Sequence, residues 1–286
     1  MKSLSETDFT IIGLGLMGAS LAAALRPHCH RIWGVDQDPG ALQWCYAQGW
    51  IDCGHQRFED AIPHSDVIVL ATPVRTILTF LEAIPSYLMP GTLVMDLGST
   101  KTSICEKMEH LPLGVEAIGG HPLCGREVSG ARNADASLFQ DRLFVLVPTE
   151  KTSPRALDLT IQLVKSIGAR PVILDAATHD RLVATSSHLP YLVACTLVAT
   201  ASRMSDPENF LWHLVASGFR DTSRLAGSDV QMMLDILQTN RSNILRSMKI
   251  FAQTVNELIQ ILESEDEAQL KAWLENAREE RRRHIQ

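Results

Sequence analysis

No pair of cysteines in this 286-residue chain stands at C-x-x-C spacing, and no histidines cluster at zinc-ligand spacing. Its six cysteines (Cys29, Cys45, Cys53, Cys105, Cys124 and Cys195) are scattered. That pattern offers neither a metal site nor a disulfide frame, and it predicts reduced thiols in a cytoplasmic protein. The opening MKSLSETDFT lacks the apolar core of a signal peptide. Apolar runs are short: the longest, LPYLVACTLVATA from Leu189, falls short of a bilayer's thickness and predicts a buried helix. Positive charge is scarce, and a formal charge of −7 argues against a nucleic-acid surface. Internal repeats and low-complexity segments are absent. What remains is an ordinary balance of 45% hydrophobic and 21% charged residues, enough for a sizeable core in one large or two medium domains.

The chain changes character partway. Up to residue 174, the runs FTIIGLG, RIWGVD, DVIVLATP, TLVMDLG, VEAIGG, LFVLVP and RPVILD alternate with helical patterns. Most of these runs are apolar throughout, as parallel strands buried on both faces are. The alternation predicts an α/β domain with a doubly wound parallel sheet. From residue 175 to 286 the strands stop, and helical patterns cover roughly 176–203, 208–217, 229–263 and 266–282. The terminal REERRRHIQ reads as a solvated helix end.

Directly after the first strand, GLGLMGAS places Gly13, Gly15 and Gly18 in a G-x-G-x-x-G pattern, with Leu16 and Met17 between the last two. The first glycine allows a tight turn, and the second lets the backbone approach a pyrophosphate. The third lets the following helix pack on the strand, with its positive N-terminus toward the phosphates. About twenty residues on, the second strand ends in Asp36, placed to accept hydrogen bonds from ribose hydroxyls and to repel a 2′-phosphate. The pattern therefore predicts a Rossmann-type domain that binds NAD rather than NADP. Thr72 and Pro73, in the ATPV that ends another strand, fall where such sheets line the cofactor crevice.

Two further stretches carry chemistry. GGHPLCG holds His121 between paired glycines and a proline, in what reads as a constrained loop at a strand end. A neutral imidazole there suits proton removal near pH 7, and Gly119 and Gly120 would let substrate and nicotinamide come close to the backbone. SGFRDTSRLAGSD gathers Arg220, Asp221 and Arg224 between helices. Asp221 reads as half of an Arg–Asp junction, while the Arg224 guanidinium fork suits a substrate carboxylate.

GLGLMGAS, DLGSTK, GGHPLCGREVSG, SHLPYLVA and GFRDTSR follow one another as they do in the prephenate/arogenate dehydrogenases of tyrosine biosynthesis, which this chain resembles over nearly its whole length. The resemblance implies a Rossmann-type domain, residues 1–174, followed by a helical substrate and dimerisation domain, residues 175–286, with the active site in the cleft between them. It implies NAD(P)-dependent oxidative decarboxylation of prephenate or arogenate by a homodimer, a reaction driven by aromatisation that needs no metal. Composition and charge add the expectations of a cytoplasmic protein with no nucleic-acid or membrane partner. Carried over by motif, the catalytic histidine falls on His121, its supporting serine on Ser99 and the carboxylate-binding arginine on Arg224.

The chain departs from the family pattern at Arg126, where many members have a small hydroxyl residue; this arginine could pair with Glu127 or meet a substrate carboxylate. Glu127 matches an acidic position common in prephenate-using members. Tyr191 replaces the second histidine of HLPH, leaving His188 alone as a substrate contact, a helix cap or a core residue. Lys101 reads as a solvated helix-start lysine, and His179, like the remaining histidines, as structural or surface. The glycine loop also opens β-hydroxyacid dehydrogenases, but their G-x-x-G-x-G-x-x-x-K pattern is missing here. A non-catalytic NAD-binding protein is the other alternative, and it would have no use for Ser99 and His121 together.

Overall fold

The computed structural model describes residues 2–126, 128–205 and 210–285. Eight strands form one sheet: β1 (Asp8–Ile12), β2 (Arg31–Val35), β3 (Cys53–His55), β4 (Val67–Leu70), β5 (Leu93–Asp96), β6 (Glu116–Pro122), β7 (Leu143–Pro148) and β8 (Arg170–Ile173). Their order is β3-β2-β1-β4-β5-β6-β7-β8. Neighbours pair in parallel except β6 with β7, so the last two strands run opposite to the rest. The short β3, interrupted by Gly54, carries too little apolar signal to stand out in the sequence.

Helices α1 (Leu16–Leu25), α2 (Pro39–Ala47), α3 (Val74–Ala83), α4 (Thr102–Met108) and α5 (Pro154–Ser166) fill the connections. The sheet is buried on both faces. Phe9, Ile11, Val67, Val69, Leu93 and Met95 point into one core with α1 and α5. Ile12, Ile68, Leu70 and Val94 point into the other, with side chains of α3 and α4. This alternation from uniformly apolar strands is what a doubly wound sheet demands. The fold is of the Rossmann type, followed by helices.

After β8 come α6 (Ala176–Val183), a π-helical turn (Ala184–His188), α7 (Leu189–Met204), α8 (Phe210–His213), α9 (Ser217–Ser223), α10 (Val230–Thr239), α11 (Arg241–Glu263) and α12 (Glu267–His284). Asp175, Asp229 and Asp266 cap α6, α10 and α12 with their side chains. The chain divides into two compact units, Met1–Arg241 and Ser242–Gln286. The change from mixed to purely helical structure lies inside the first.

Three expectations change here. The apolar run expected as a short buried helix belongs to a continuous helical stretch, Ala176–Met204, long and apolar enough by length and composition to cross a membrane. Within α7 only Ala194 and Ala201 are buried, because apolar composition reports a face to be covered without saying what covers it. The pattern over 229–263 is two helices broken at Asn240. The SGFRDTSR stretch is itself α9 followed by a tight turn, and among the described residues Asp221 forms no ion pair.

Candidate active site

Gly13, Asp36, Thr72, Ser99 and His121 all lie at or just beyond the carboxyl ends of β1, β2, β4, β5 and β6. In a sheet whose order reverses between β1 and β4, that edge opens into the ligand crevice. The three glycines of the first turn differ physically. Gly13 has φ +95°, and a Cβ there would lie 2.7 Å from Thr72 Cγ2. A Cβ on Gly18 would lie 1.8 Å from the Gly13 carbonyl oxygen, so α1 packs against the turn as only glycine allows. Space around Gly15 is open, and as the N-cap of α1 it supplies no side chain to the free N–H groups of the first turn. Leu16 and Met17, half-buried, make up that turn. The Asp36 carboxylate accepts hydrogen bonds from the backbone N–H groups of Leu14 (2.7 Å) and Asp38 (2.9 Å), which fixes it beside the glycine turn. Pro73 precedes α3 as its cap residue, and among the described residues the buried hydroxyl of the neighbouring Thr72 has no hydrogen-bond partner. An open, positive helix end, a fixed carboxylate and an unpartnered hydroxyl along one edge fit a dinucleotide.

His121 is not in a loop. It is the penultimate residue of β6, paired with Val145 of β7, and half-buried. Gly119 and Gly120 are buried beneath it and make no room for a ligand. A Cβ on Gly119 would sit 2.9 Å from Cys105 Sγ, and one on Gly120 2.5 Å from the Asp96 carbonyl oxygen. These glycines let β6 lie close to β5 and α4, because side-chain bulk there would collide with protein.

Behind His121 stands a buried chain of polar groups. His121 Nδ1 lies 2.8 Å from His179 Nε2, with the rings edge to face. His179 Nδ1 lies 2.8 Å from Asp180 Oδ1. Asp180 also accepts hydrogen bonds from the backbone N–H groups of Lys101 (2.7 Å) and Thr102 (2.9 Å), at the start of α4. Burial would raise the Asp180 carboxyl, but the hydrogen bonds from His179, Thr102 and Lys101 hold it below its ordinary value. Lys101, fully buried, forms an ion pair with the equally buried Asp96, which also accepts from the N–H groups of Gly98 and Gly120. Burial pushes the His121 imidazole well below 6.5, and His179, Lys101 and His188 add to the shift. His121 is therefore neutral at pH 7.

The remaining expected residues are less tightly gathered. Ser99 follows β5, half-buried, and among the described residues no hydrogen bond joins it to His121. His188 closes the π-helical turn and is buried, with Nδ1 3.3 Å from Asn240 Nδ2, whose amide also donates to the Asp180 carbonyl (2.7 Å). Arg126 pairs with Asp135 at 2.6 Å; the alternative partner Glu127 lies outside the described residues. Asp135, on the far side of the loop, is already held by Ser137, and it presents its carboxylate to Arg126. Arg224 is exposed, in the Arg224–Gly227 turn after α9.

His179, Asp180, Asp96 and Lys101 are the residues sequence reasoning passed over. Lys101 is a buried partner, not a solvated one, because the start of α4 turns inward against β5. The adjacency of His179 and Asp180 in α6 is visible in the sequence, but it does not say what either side chain faces.

Two family models divide the chain between them: the prephenate dehydrogenase nucleotide-binding domain matches residues 21–173, and the prephenate dehydrogenase dimerization domain matches residues 175–276. The chain belongs to the prephenate dehydrogenase family. Among family members, the prephenate dehydrogenase of Lactococcus lactis subsp. cremoris is 32% identical over 94% of this chain and 75% of its own. The crystal structure of A. aeolicus prephenate dehydrogenase in complex with hydroxyphenyl propionate and NAD+ matches at a TM-score of 0.92, with 32% identity over 99% of both chains. Synechocystis arogenate dehydrogenase matches at 0.84, with 30% identity over 97% of this chain and 100% of that one. Prephenate dehydrogenases and an arogenate dehydrogenase thus share this fold at similar identity.

Proposed function

We propose that the protein is an NAD-dependent dehydrogenase that oxidatively decarboxylates prephenate or arogenate, with His121 as the base. The observation that carries the reading is the position of His121: a neutral imidazole at the carboxyl edge of β6, backed by buried groups on one side. The β-hydroxyacid dehydrogenase alternative gives way to it, since both halves of the chain match prephenate dehydrogenase models.

NAD, when bound, supplies the hydride acceptor for the ring carbinol carbon. The glycine turn and the first turn of α1 would hold its pyrophosphate, Asp36 its ribose hydroxyls, and Thr72 one further polar group. Asp36 would also repel a 2′-phosphate, which favours NAD over NADP. His121 accepts the proton of the ring hydroxyl as the carbinol is oxidised. Ser99, just beyond the end of β5 on the same edge of the sheet, is the candidate to offer a hydrogen bond to the same oxygen. The C–C bond to the ring carboxylate then breaks, its electron pair completes the aromatic ring, and CO₂ leaves. Arg224 is the candidate for holding a substrate carboxylate, with His188 and Glu127 as further candidates. Arg126, engaged by Asp135, contributes its remaining guanidinium donors at most.

The protein acts as a homodimer in the cytoplasm. A second copy would cover the apolar helix faces left open in the single chain, and six free thiols suit a reducing compartment.

The test is His121→Asn, which keeps a hydrogen-bonding side chain and removes the base. The expected loss in kcat is about two to four orders of magnitude, with NAD affinity and thermal midpoint unchanged. A folded variant with near-normal kcat would refute the role. Because folded His121 is held below 6.5, the acid limb of kcat/KM is expected at more acidic pH than an ordinary imidazole would give.

A further inference from the structure

The chain His121–His179–Asp180 has a direction. A carboxylate only accepts hydrogen bonds, so the short contact between Asp180 Oδ1 and His179 Nδ1 requires the proton on His179 Nδ1. In a neutral ring the other nitrogen, His179 Nε2, is then a bare acceptor. Its 2.8 Å contact with His121 Nδ1 requires the second proton on His121 Nδ1. What is left bare is His121 Nε2, which takes part in no hydrogen bond among the described residues. We propose that His179, aligned by Asp180, is a positioning residue that locks His121 as the Nδ1–H tautomer, so that Nε2 is the atom that receives the substrate proton.

The geometry suits that task. Asp180 cannot turn away, because its two oxygens also hold the first backbone N–H groups of α4. His179 is fully buried, so no water competes for Nε2. Asn240 grips the same turn of α6 through the Asp180 carbonyl. Lys101 and Asp96 neutralise each other next to the cluster, and Gly120, which accompanies His121 on β6, donates to Asp96. Each member of the chain is therefore fixed through backbone as well as side chain. Once His121 has taken the proton it carries a charge, and the Asp180 carboxylate, one imidazole away, favours that charged state. An imidazole without such a lock would divide itself between two tautomers, one of which presents a donor where the reaction needs an acceptor.

The inference rests on His121 being the base, and its main test does not depend on activity. In the full-chain protein labelled with ¹⁵N-histidine, nitrogen spectra at neutral pH, assigned with His121→Asn, are expected to show His121 protonated at Nδ1 and bare at Nε2. The opposite tautomer, or an even mixture, would overturn the proposal. If the tautomer is found but His121→Asn keeps its kcat, the base assignment fails alone. Kinetics add a second reading. His179→Gln puts an amide oxygen near the former Nε2 and should keep most of the kcat. His179→Leu removes the acceptor and should lower kcat about ten- to a hundredfold, as lost orienting partners do, with KM and NAD affinity unchanged. His179→Leu at wild-type kcat would also overturn it. Should that variant fail to fold, the spectra of the wild type still decide.

Discussion

His188 shows how one buried side chain can set the response of the protein to acid. Burial is the main reason its imidazole is pushed down to about 4, with His179 adding to the shift and Asp180 opposing it. Above pH 6.5 neither the folded nor the unfolded ring carries a proton, so stability does not depend on it. Below 6.5 the unfolded chain binds a proton that the folded chain refuses, and stability falls until about pH 4. The total is about 3 kcal/mol for a shift of this size, and His121 acts in the same direction. Urea midpoints are expected to decline from pH 7 to pH 4.5, and His188→Asn, which keeps an acceptor for Asn240, should flatten that decline. A variant with the wild-type slope would assign the acid response to other groups. Asp36 poses the second residue-scale question. Its carboxylate anchors the Leu14 amide beside the glycine turn, so Asp36→Asn removes the charge while keeping an oxygen for the anchor. The NAD-over-NADP ratio in kcat/KM should fall about tenfold or more, the equivalent of 1.4 kcal/mol. Equal use of the two cofactors by the wild type would rule out this role.

Elements are joined here by carboxylates at helix ends. Asp180 on α6 receives the first N–H groups of α4, and Asp235 on α10 accepts from the Arg75 N–H in the first turn of α3 at 3.2 Å. Both are buried, both come from the helices after β8, and both complete helices of the sheet layer. Each thus satisfies orphan donors that α3 and α4 cannot cap for themselves, since neither has a side-chain cap of its own. Asp235→Ala should cost about 1–2 kcal/mol, as the loss of a good N-cap does. Hydrogen exchange should show the loss concentrated in the first turn of α3 and in α10. Uniform destabilisation, or none, would mean that the contact does not tie these helices together. The π-helical turn Ala184–His188 between α6 and α7 adds a residue to the helix and turns His188 inward, an irregularity often found beside functional sites.

On the scale of the whole molecule, large apolar side chains stand exposed in both compact units. Met204, Phe210, Leu214 and Val230 are exposed in the first unit, and Ile250, Ile259 and Leu262 in the second. Exposed apolar side chains that gather into patches mark interaction surfaces. Sedimentation at micromolar concentration is expected to give a mass near twice the 31.6 kDa of the chain. A monomer at that concentration would leave these faces unexplained and remove the homodimer.

The amino-acid order by itself determined the sheet layer and the glycine turn, because parallel strands need continuous apolar runs and a pyrophosphate turn needs glycine at fixed spacing. It also marked His121 and Asp36, which stand in motifs. Local pattern could not tell that GGHP is strand and not loop, since the glycines serve close packing against Asp96 and Cys105, which only the folded neighbours reveal. Nor could it pick out His179, 58 residues from His121, or the pair Asp96 and Lys101 beneath them. A lone histidine on a helix reads the same whether it faces solvent or another imidazole. A lysine at a helix start reads as solvated until the sheet beside it supplies a buried carboxylate. Those residues acquire their roles only where α4, α6 and β6 converge, because hydrogen bonds between groups distant in sequence depend on where the elements pack and not on what flanks them.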